Sequence, residues 1–241
     1  EEMMKLEGHT GQVTSLGFSN DNKYIVSGSN DRSVRIWSVE NGEEMMKLEG
    51  HTGLVFSVGF SNDNKYIVSG SEDNSVRMWS VENGEEMMKL EGHTGALRSV
   101  GFSNDNKYIV SGGGLNDHSV RIWSVENGEE MMTLEGHTGG VDSVGFSNDS
   151  KYIVSSSWDF TKRVWNVSDG TCLYNGPSNQ PLPNEYASLF TSSGNESRDL
   201  SSLTSNGSTV GIETGTTAKI SPSGSAACMK EGSLVHIFIK Q

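Results

Sequence analysis

Cysteine, proline and basic residues are scarce in this chain. Its 241 residues include 2 cysteines, 4 prolines and 18 lysines and arginines against 31 aspartates and glutamates, a formal net charge of −13. So few cysteines exclude a disulfide scaffold and fit a reducing compartment, although a single Cys172–Cys228 bridge stays open. The acidic charge repels phosphate groups and anionic lipids, so neither nucleic acid nor a membrane surface is an expected partner.

Long apolar runs are missing as well. No segment approaches the length of a transmembrane helix, and no secretory leader opens the sequence, so we expect a cytoplasmic protein. The first residue is Glu1, which already lies inside a repeat. We therefore expect the chain to be a piece of a longer, multidomain protein.

The main feature of the chain is a repeated unit of about 42 residues, which occurs four times. Residues 1–42 and 43–84 differ at six positions, and the unit recurs at 85–128, with two extra residues, and at 129–170. Each unit reads as four short strands, at 13–18, 23–27, 33–39 and 43–48 in the first, separated by turns of Ser, Asn, Asp and Gly. Such sheets must cover one another, which favours a radial propeller over a sandwich or a barrel.

A His, a Ser, an Asp and a Trp recur at matching places in every unit. This pattern resembles the WD40-repeat β-propellers, and near-identical arrays also resemble those of fungal and bacterial signal-transducing NTPases. The resemblance implies a buried tetrad in which Asp31 orients His9, His9 bonds Ser27, and Ser27 accepts the indole N–H of Trp37. The implied tetrads are His9, Ser27, Asp31 and Trp37; His51, Ser69, Asp73 and Trp79; His93, Ser111, Asp117 and Trp123; and His137, Ser155, Asp159 and Trp165.

The last third of the chain is irregular. Residues 171–241 are predicted to hold degenerate blades, with a Pro- and Ser-rich stretch at 175–209. The final blade, 218–239, lacks a fourth strand that residues 1–6 supply, and 186–191 and 208–213 are candidate parts of another blade. The predicted fold is all-β: residues 1–241 form one WD40-type propeller domain of six blades, four regular (1–170) and two degenerate, with the ring closed by pairing of the N-terminal strand with the C-terminal blade.

The recurring polar residues do not predict an enzyme or a metal site. One His per unit lies on a separate blade, without a second His or a Cys at ligand spacing, so no metal and no cofactor is expected. A Ser-His-Asp set in every unit looks like a catalytic triad. Hydrolysis needs one exposed nucleophile with an oxyanion hole, whereas these would be four equivalent buried networks, so no catalytic residue is predicted.

Four positions of the unit change radically in charge and bulk. The turns SNDNK and VENGE hardly change, so random drift of exposed loops is the less favoured explanation. In a propeller the changed positions, on the turn before the first strand and the turn after the second, share one surface, called here the top face. The predicted partner-binding residues are Gln12, Thr14, Asn30, Arg32, Leu54, Phe56, Glu72, Asn74, Ala96, Arg98, Asn116, His118, Gly140, Asp142, Trp158 and Phe160.

The leading functional hypothesis is a non-catalytic protein-recognition or scaffold module in signalling, a monomeric ring that binds a partner protein through the top face. Phe56, Arg98, Trp158 and Phe160 are its main expected anchors, because aromatic and Arg side chains dominate binding hot spots. One alternative is a lectin-like or small-ligand-binding propeller in which Trp158 or Phe160 stacks on a sugar. Another is an architectural array whose ring closes only with a second chain.

Overall fold

A computed structural model describes residues 2–190, 218–220, 226–231 and 234–239. Almost all of its regular structure is β-strand. In chain order the elements are β1 (Glu2–Leu6), β2 (Val13–Phe18), β3 (Tyr24–Ser29), β4 (Val34–Ser38), β5 (Glu44–Leu48), β6 (Val55–Phe60), β7 (Tyr66–Ser71), β8 (Val76–Ser80), β9 (Glu86–Leu90), β10 (Leu97–Phe102), β11 (Tyr108–Gly113), β12 (Val120–Ser124), β13 (Glu130–Leu134), β14 (Val141–Phe146), β15 (Tyr152–Ser157), β16 (Thr161–Asn166), β17 (Cys172–Pro177), α1 (Asn184–Phe190), β18 (Ala218–Ile220), β19 (Ala226–Glu231) and β20 (Leu234–Ile239).

The four repeats form four antiparallel sheets of four strands each. Blade 1 is β2–β5, blade 2 is β6–β9, blade 3 is β10–β13 and blade 4 is β14–β17, with the strands side by side in chain order. The first strands β2, β6, β10 and β14 contact one another in succession, so they line the inside of the array. The last strand of each sheet forms the outer edge. This is the all-β propeller architecture that the repeat predicts.

The strands are covered on both faces because the core lies between the blades. Val26, Val34 and Ile36 of blade 1 pack with Val55 and Ile67 of blade 2, all of them at most 1% exposed. Equivalent clusters join blade 2 to blade 3 and blade 3 to blade 4. A single repeat would leave its apolar residues in water, and stacking the repeats buries them.

Glycine allows neighbouring blades to approach closely. A Cβ atom at Gly28 would lie 2.7 Å from Val55 Cγ1, and one at Gly70 would lie 2.7 Å from Val100 Cγ1. Blade 4 carries Ser156 at this place, and Lys162 where blade 1 has the buried Val34. The far side of blade 4 therefore differs from the equivalent faces of blades 1, 2 and 3.

We expect Gly70→Ser to lower the free energy of unfolding by about 1–3 kcal/mol, because the new side chain overlaps the buried Val100. The reverse change on the far side of blade 4, Ser156→Gly, is the matched control and should cost less than about 1 kcal/mol. Urea unfolding of both variants measures the difference. Equal losses would contradict the inter-blade contact assigned to this position.

The two ends of the chain meet in one sheet of order β18-β19-β20-β1. Strand β1 pairs antiparallel with β20, with Leu6 opposite Val235. The three C-terminal strands lie where the repeat pattern places the first three strands of a last blade, and β1 supplies the fourth. This sheet contacts β2 of blade 1. Six blades and a fully closed ring stay predictions, and the proposed strand at 208–213 lies outside the described residues.

Two assignments in the last third are corrected. Residues 172–177, placed in the degenerate region, form β17 and complete blade 4, with Pro177 as the last residue of an outer edge strand, where proline is tolerated. Residues 186–190, proposed as part of a strand, belong to helix α1. The Pro183 carbonyl accepts the amides of Tyr186 and Ala187, and Glu185 complements the helix dipole. In the described residues, no helix is long and apolar enough to cross a membrane.

Candidate functional site

The structure brings the four residues of every predicted tetrad together. In blade 1, His9 Nδ1 lies 2.8 Å from Asp31 Oδ2, His9 Nε2 lies 2.7 Å from Ser27 Oγ, and Trp37 Nε1 donates to Ser27 Oγ at 2.8 Å. The corresponding distances in the other three blades are between 2.7 and 2.9 Å. A neutral imidazole with its proton on Nδ1 satisfies this series of hydrogen bonds, because it donates to the Asp and accepts from the Ser hydroxyl.

Each tetrad contains a fifth residue that sequence reasoning missed. The hydroxyls of Ser33, Ser75, Ser119 and Thr161 donate to the second carboxylate oxygen of the tetrad Asp, at 2.5–2.7 Å. The backbone amide after the His also donates to this carboxylate, as Thr10 N does to Asp31 Oδ2 at 3.0 Å. The signal was visible as a hydroxyl residue two places after every tetrad Asp.

Burial and hydrogen bonding set the protonation of the tetrads. Burial alone would raise the pKa of Asp31, but donors from Ser33, His9 and Thr10 hold it well below its usual range. Burial lowers the pKa of His9, and the hydrogen bond that His9 donates to Asp31 opposes this effect. The side chain of His9 is 1% exposed, and the other tetrad histidines are equally covered. These groups are closed to substrates and serve the fold.

The two-residue insertion of the third repeat leaves its tetrad intact. Asp117 still lies 2.7 Å from His93, although it follows Ser111 by six residues in place of four. The two extra residues lengthen the loop toward the solvent, where Leu115 is 59% exposed. Among the described residues, no three His, Cys, Asp or Glu side chains come together as a metal site.

The variable first-strand residues sit on β-bulges. The strand register shifts between Val13 and Ser15 in blade 1, and at the matching place in blades 2, 3 and 4. The residue inside each bulge is the variable one: Thr14, Phe56, Arg98 or Asp142. A bulge leaves one residue out of the ladder and redirects its side chain, so the scaffold can display different groups there without changing its pairing.

Three of the predicted anchors form one cluster. The Arg98 guanidinium carbon lies 4.6 Å from the ring centroid of Phe56 and 5.1 Å from that of Trp158. Phe56 comes from blade 2, Arg98 from blade 3 and Trp158 from blade 4. Trp158 is 41% exposed, so the cluster has an open side. We call these three residues the FRW cluster.

The other predicted residues lie on the same end of the blades but not in this cluster. The backbone amides of Asn30, Glu72 and Trp158 donate to the carbonyls of Gln12, Leu54 and Gly140, so the two variable turns of a blade are joined directly. Thr14 donates to the carbonyls of Gly28 and Val55 and joins blade 1 to blade 2. Gln12, Arg32, Glu72, Asn116, His118, Asp142 and Phe160 are exposed, Asn30, Leu54, Asn74 and Ala96 are half-buried, and Gly140 is buried.

Phe160 lies apart from the FRW cluster, and the described residues give it no aromatic partner. It is 80% exposed and has a φ of 63°. This left-handed region is unfavourable for bulky side chains, and blades 1 and 2 have no aromatic residue at the equivalent position of the turn. Its carbonyl accepts the amide of Ser178 at 2.8 Å, which ties the segment after β17 to this turn.

The constant turns at the opposite end have their own structural cause. Asn20 N donates to Asn64 Oδ1 and Asn62 N donates to Asn106 Oδ1, both at 2.7 Å. The SNDNK turns thus form a ladder of hydrogen bonds from blade to blade. The constancy of the SNDNK turns is explained by this ladder, so it is no longer an argument against drift at the top face. The case for a binding surface rests on the FRW cluster.

Comparison with known proteins gives the family. The model described as WD domain, G-beta repeat matches residues 1–38, 42–80, 84–124 and 128–166, more than half of the chain. The chain belongs to the WD40 repeat family. Proteins with WD40 repeats generally mediate protein–protein interaction or scaffolding. The departure from the Trp-Asp dipeptide, Trp-Ser in three repeats and Trp165-Asn166 in the fourth, does not disturb the tetrads of this WD40 chain.

Individual relatives are similar over single repeats. Protein HIR1 of Eremothecium gossypii is 50% identical over 40 residues, 17% of this chain and 5% of that protein. Eukaryotic translation initiation factor 3 subunit I of Saccharomyces cerevisiae is 42% identical over 43 residues, 18% of this chain and 12% of that protein. The solved structure of U3-55K matches with a TM-score of 0.66 at 26% identity, over 71% of this chain and 54% of that one. The WD40 chain thus matches a small part of each curated relative's length.

Proposed function

We propose that this WD40 propeller is a non-catalytic recognition module that binds a protein partner through its top face, with the FRW cluster as the main contact. The observation that carries the proposal is the convergence of Phe56, Arg98 and Trp158 from three blades. All three stand at positions where the otherwise near-identical repeats differ. Half-exposed aromatic and Arg side chains that meet in one place have the composition of a binding hot spot.

The cluster suits a protein better than a sugar. The sugar alternative needs Trp158 or Phe160 beside a cavity, but a cavity of about 640 Å³ between blades 1 and 2 is lined by other residues, among them Tyr24, Met45 and Met87. Neither Trp158 nor Phe160 reaches it. The exposed aromatic residues lie instead on an open surface that an extended or helical segment of a partner can cover.

The near-identity of the repeats supplies matched variants for the test. Trp158→Asn introduces the residue that repeat 1 carries as Asn30, and it should leave the fold unchanged. Random 12-residue peptides displayed on phage are selected on the immobilised chain, and the selected peptides are then titrated by fluorescence anisotropy. We expect Trp158→Asn to weaken their binding about 30-fold, close to 2 kcal/mol.

Met87→Ala is the control, because Met87 is 48% exposed on the outer strand β9, away from the top face. It should change the affinity less than about twofold. Peptides that tolerate Trp158→Asn and lose binding with Met87→Ala would move the recognition site to the outer rim and overturn the proposal.

The proposal includes the rest of the molecule. In this proposal six blades form one closed, monomeric ring, and the sheet that joins β1 to β20 completes the circle. The ring is part of a larger cytoplasmic protein. The net charge of −13 supports a protein partner over nucleic acid or a membrane. The buried state of every tetrad supports a role without catalysis.

A further inference from the structure

Resting on the proposed function, we infer that Arg98 is a receptor for a carboxylate group of the bound peptide, held ready by Phe56 and Trp158. The first observation concerns its partners. Three arginines at matching strand positions, Arg35, Arg77 and Arg121, pair with a Glu of the adjacent strand, and the fourth, Arg163, donates to the carbonyl of Gly136. No carboxylate of the described residues pairs with Arg98, whose contacts there are the two aromatic rings.

Two acidic residues on the same face could have neutralised Arg98 and do not. Asp142 occupies the matching bulge of blade 4, and Glu72 lies on the turn of blade 2. Both are exposed, and the Glu72 carboxylate accepts the amide of Leu54 at 3.4 Å. The guanidinium carbon lies near both rings, and no hydrogen bond or ion pair among the described residues uses an Arg98 N–H donor, so these donors remain available.

The surroundings of Arg98 are arranged to hold this side chain in place. Stacking on two rings restricts a long, flexible chain before any ligand arrives, which reduces the entropy lost on binding. The insertion of repeat 3 contributes Gly114, where a Cβ atom would lie 3.2 Å from Arg98 Cγ and 2.8 Å from the carbonyl oxygen of Ala96. The glycine therefore leaves the space that the arginine stem occupies.

The chemistry of this site favours a carboxylate. A planar guanidinium presents paired donors that match the two oxygens of a carboxylate, and aromatic neighbours exclude part of the solvent that would screen the interaction. Phosphate would also fit the donors, but its second negative charge meets Glu72, Asp142 and the overall charge of −13. The expected ligand is an Asp or Glu side chain, or a C-terminal carboxylate, next to an apolar residue that covers Phe56 or Trp158.

A library of synthetic hexapeptides tests the inference. Each position is varied in turn, and every peptide is made with a free and with an amidated C-terminus. We expect the wild-type chain to prefer Asp or Glu over Asn or Gln at one position about 10- to 100-fold, the value of a charge-assisted hydrogen bond. If the amidated peptides fail and the free acids bind, the carboxylate is the terminal one, which also supports the inference.

Two variants of Arg98 complete the test. Arg98→Thr introduces the threonine that repeat 1 has at this position. This variant should lose the preference for acidic peptides, while its peptide binding should still depend on Trp158. Arg98→Lys keeps the charge without the planar fork and should retain only a small part of the preference. An acidic preference unchanged in Arg98→Thr, or one satisfied only by phosphoserine, overturns the inference but leaves the proposed function standing. Binding that is insensitive to Trp158→Asn overturns the proposed function itself.

Discussion

Replacing Asp73 by alanine is expected to lower the free energy of unfolding by about 3–5 kcal/mol, because it breaks a buried network and leaves several donors unpaired. The Asp73 carboxylate accepts hydrogen bonds from His51, from the amides of Thr52 and Ser75, and from the Ser75 hydroxyl. Its side chain is 8% exposed, so water has little access to the donors that lose their acceptor.

The control for this variant is Asp63→Ala in the same repeat. Asp63 accepts from the Ser61 hydroxyl and the Lys65 amide in a turn, and its side chain is 34% exposed. Its loss should cost about 1 kcal/mol. Urea unfolding of both variants gives the comparison. Similar losses at the two sites would show that the tetrads add no more to the fold than a surface turn does.

The second large effect is expected for Trp79→Ala, which should cost about 3–5 kcal/mol. Trp79 is 1% exposed, packs in the cluster between blades 1 and 2, and donates its indole N–H to Ser69 at 2.8 Å. Removal of the indole leaves a cavity and takes away the hydrogen bond that the Ser69 hydroxyl oxygen accepts, while its bond to His51 remains.

The same substitution at Trp158 should behave in the opposite way. Trp158 is 41% exposed and contacts Arg98, so its loss should cost at most about 1 kcal/mol of stability while it removes peptide binding. Thermal unfolding and anisotropy on the two variants separate a scaffold tryptophan from a recognition tryptophan. If Trp158→Ala lowered the free energy of unfolding as much as Trp79→Ala does, Trp158 would be a core residue and not part of the recognition site.

The tetrads and the first three blades could be predicted from the sequence because their signals are local or periodic. The resemblance to WD40 propellers implies the tetrad of His9, Asp31 and Trp37 with Ser27, and the matching spacing repeats in the other units. The FRW cluster could be predicted only as a set of positions on one face. Its contacts depend on the bulge that redirects Arg98 and on the angle between blades, neither of which one repeat specifies.

Other features escaped because tertiary context outweighs local signals. Helix α1 is seven residues long, too short for a clear period, although Tyr186, Leu189 and Phe190 are half-buried at helical spacing. The ladder of Asn20 and Asn64 joins residues 44 positions apart, so the turns looked free to vary when they are not. The sequence also does not show that Ser156 and Lys162 replace residues of the blade interface, because the equivalent Gly28 and Val34 are known to face the next blade only from the structure.

The most direct measurement of the central claim uses one chain with three substitutions, Phe56→Thr, Arg98→Thr and Trp158→Asn. Each introduces the residue that repeat 1 carries at that place, and Thr14 shows how the bulge accommodates threonine. Peptide affinity and the urea midpoint are measured on the same sample. We predict that binding falls more than about 100-fold while the midpoint stays within experimental error of the wild type. Unchanged affinity, or a loss of affinity that accompanies unfolding, would contradict a constant scaffold that carries a separate recognition face.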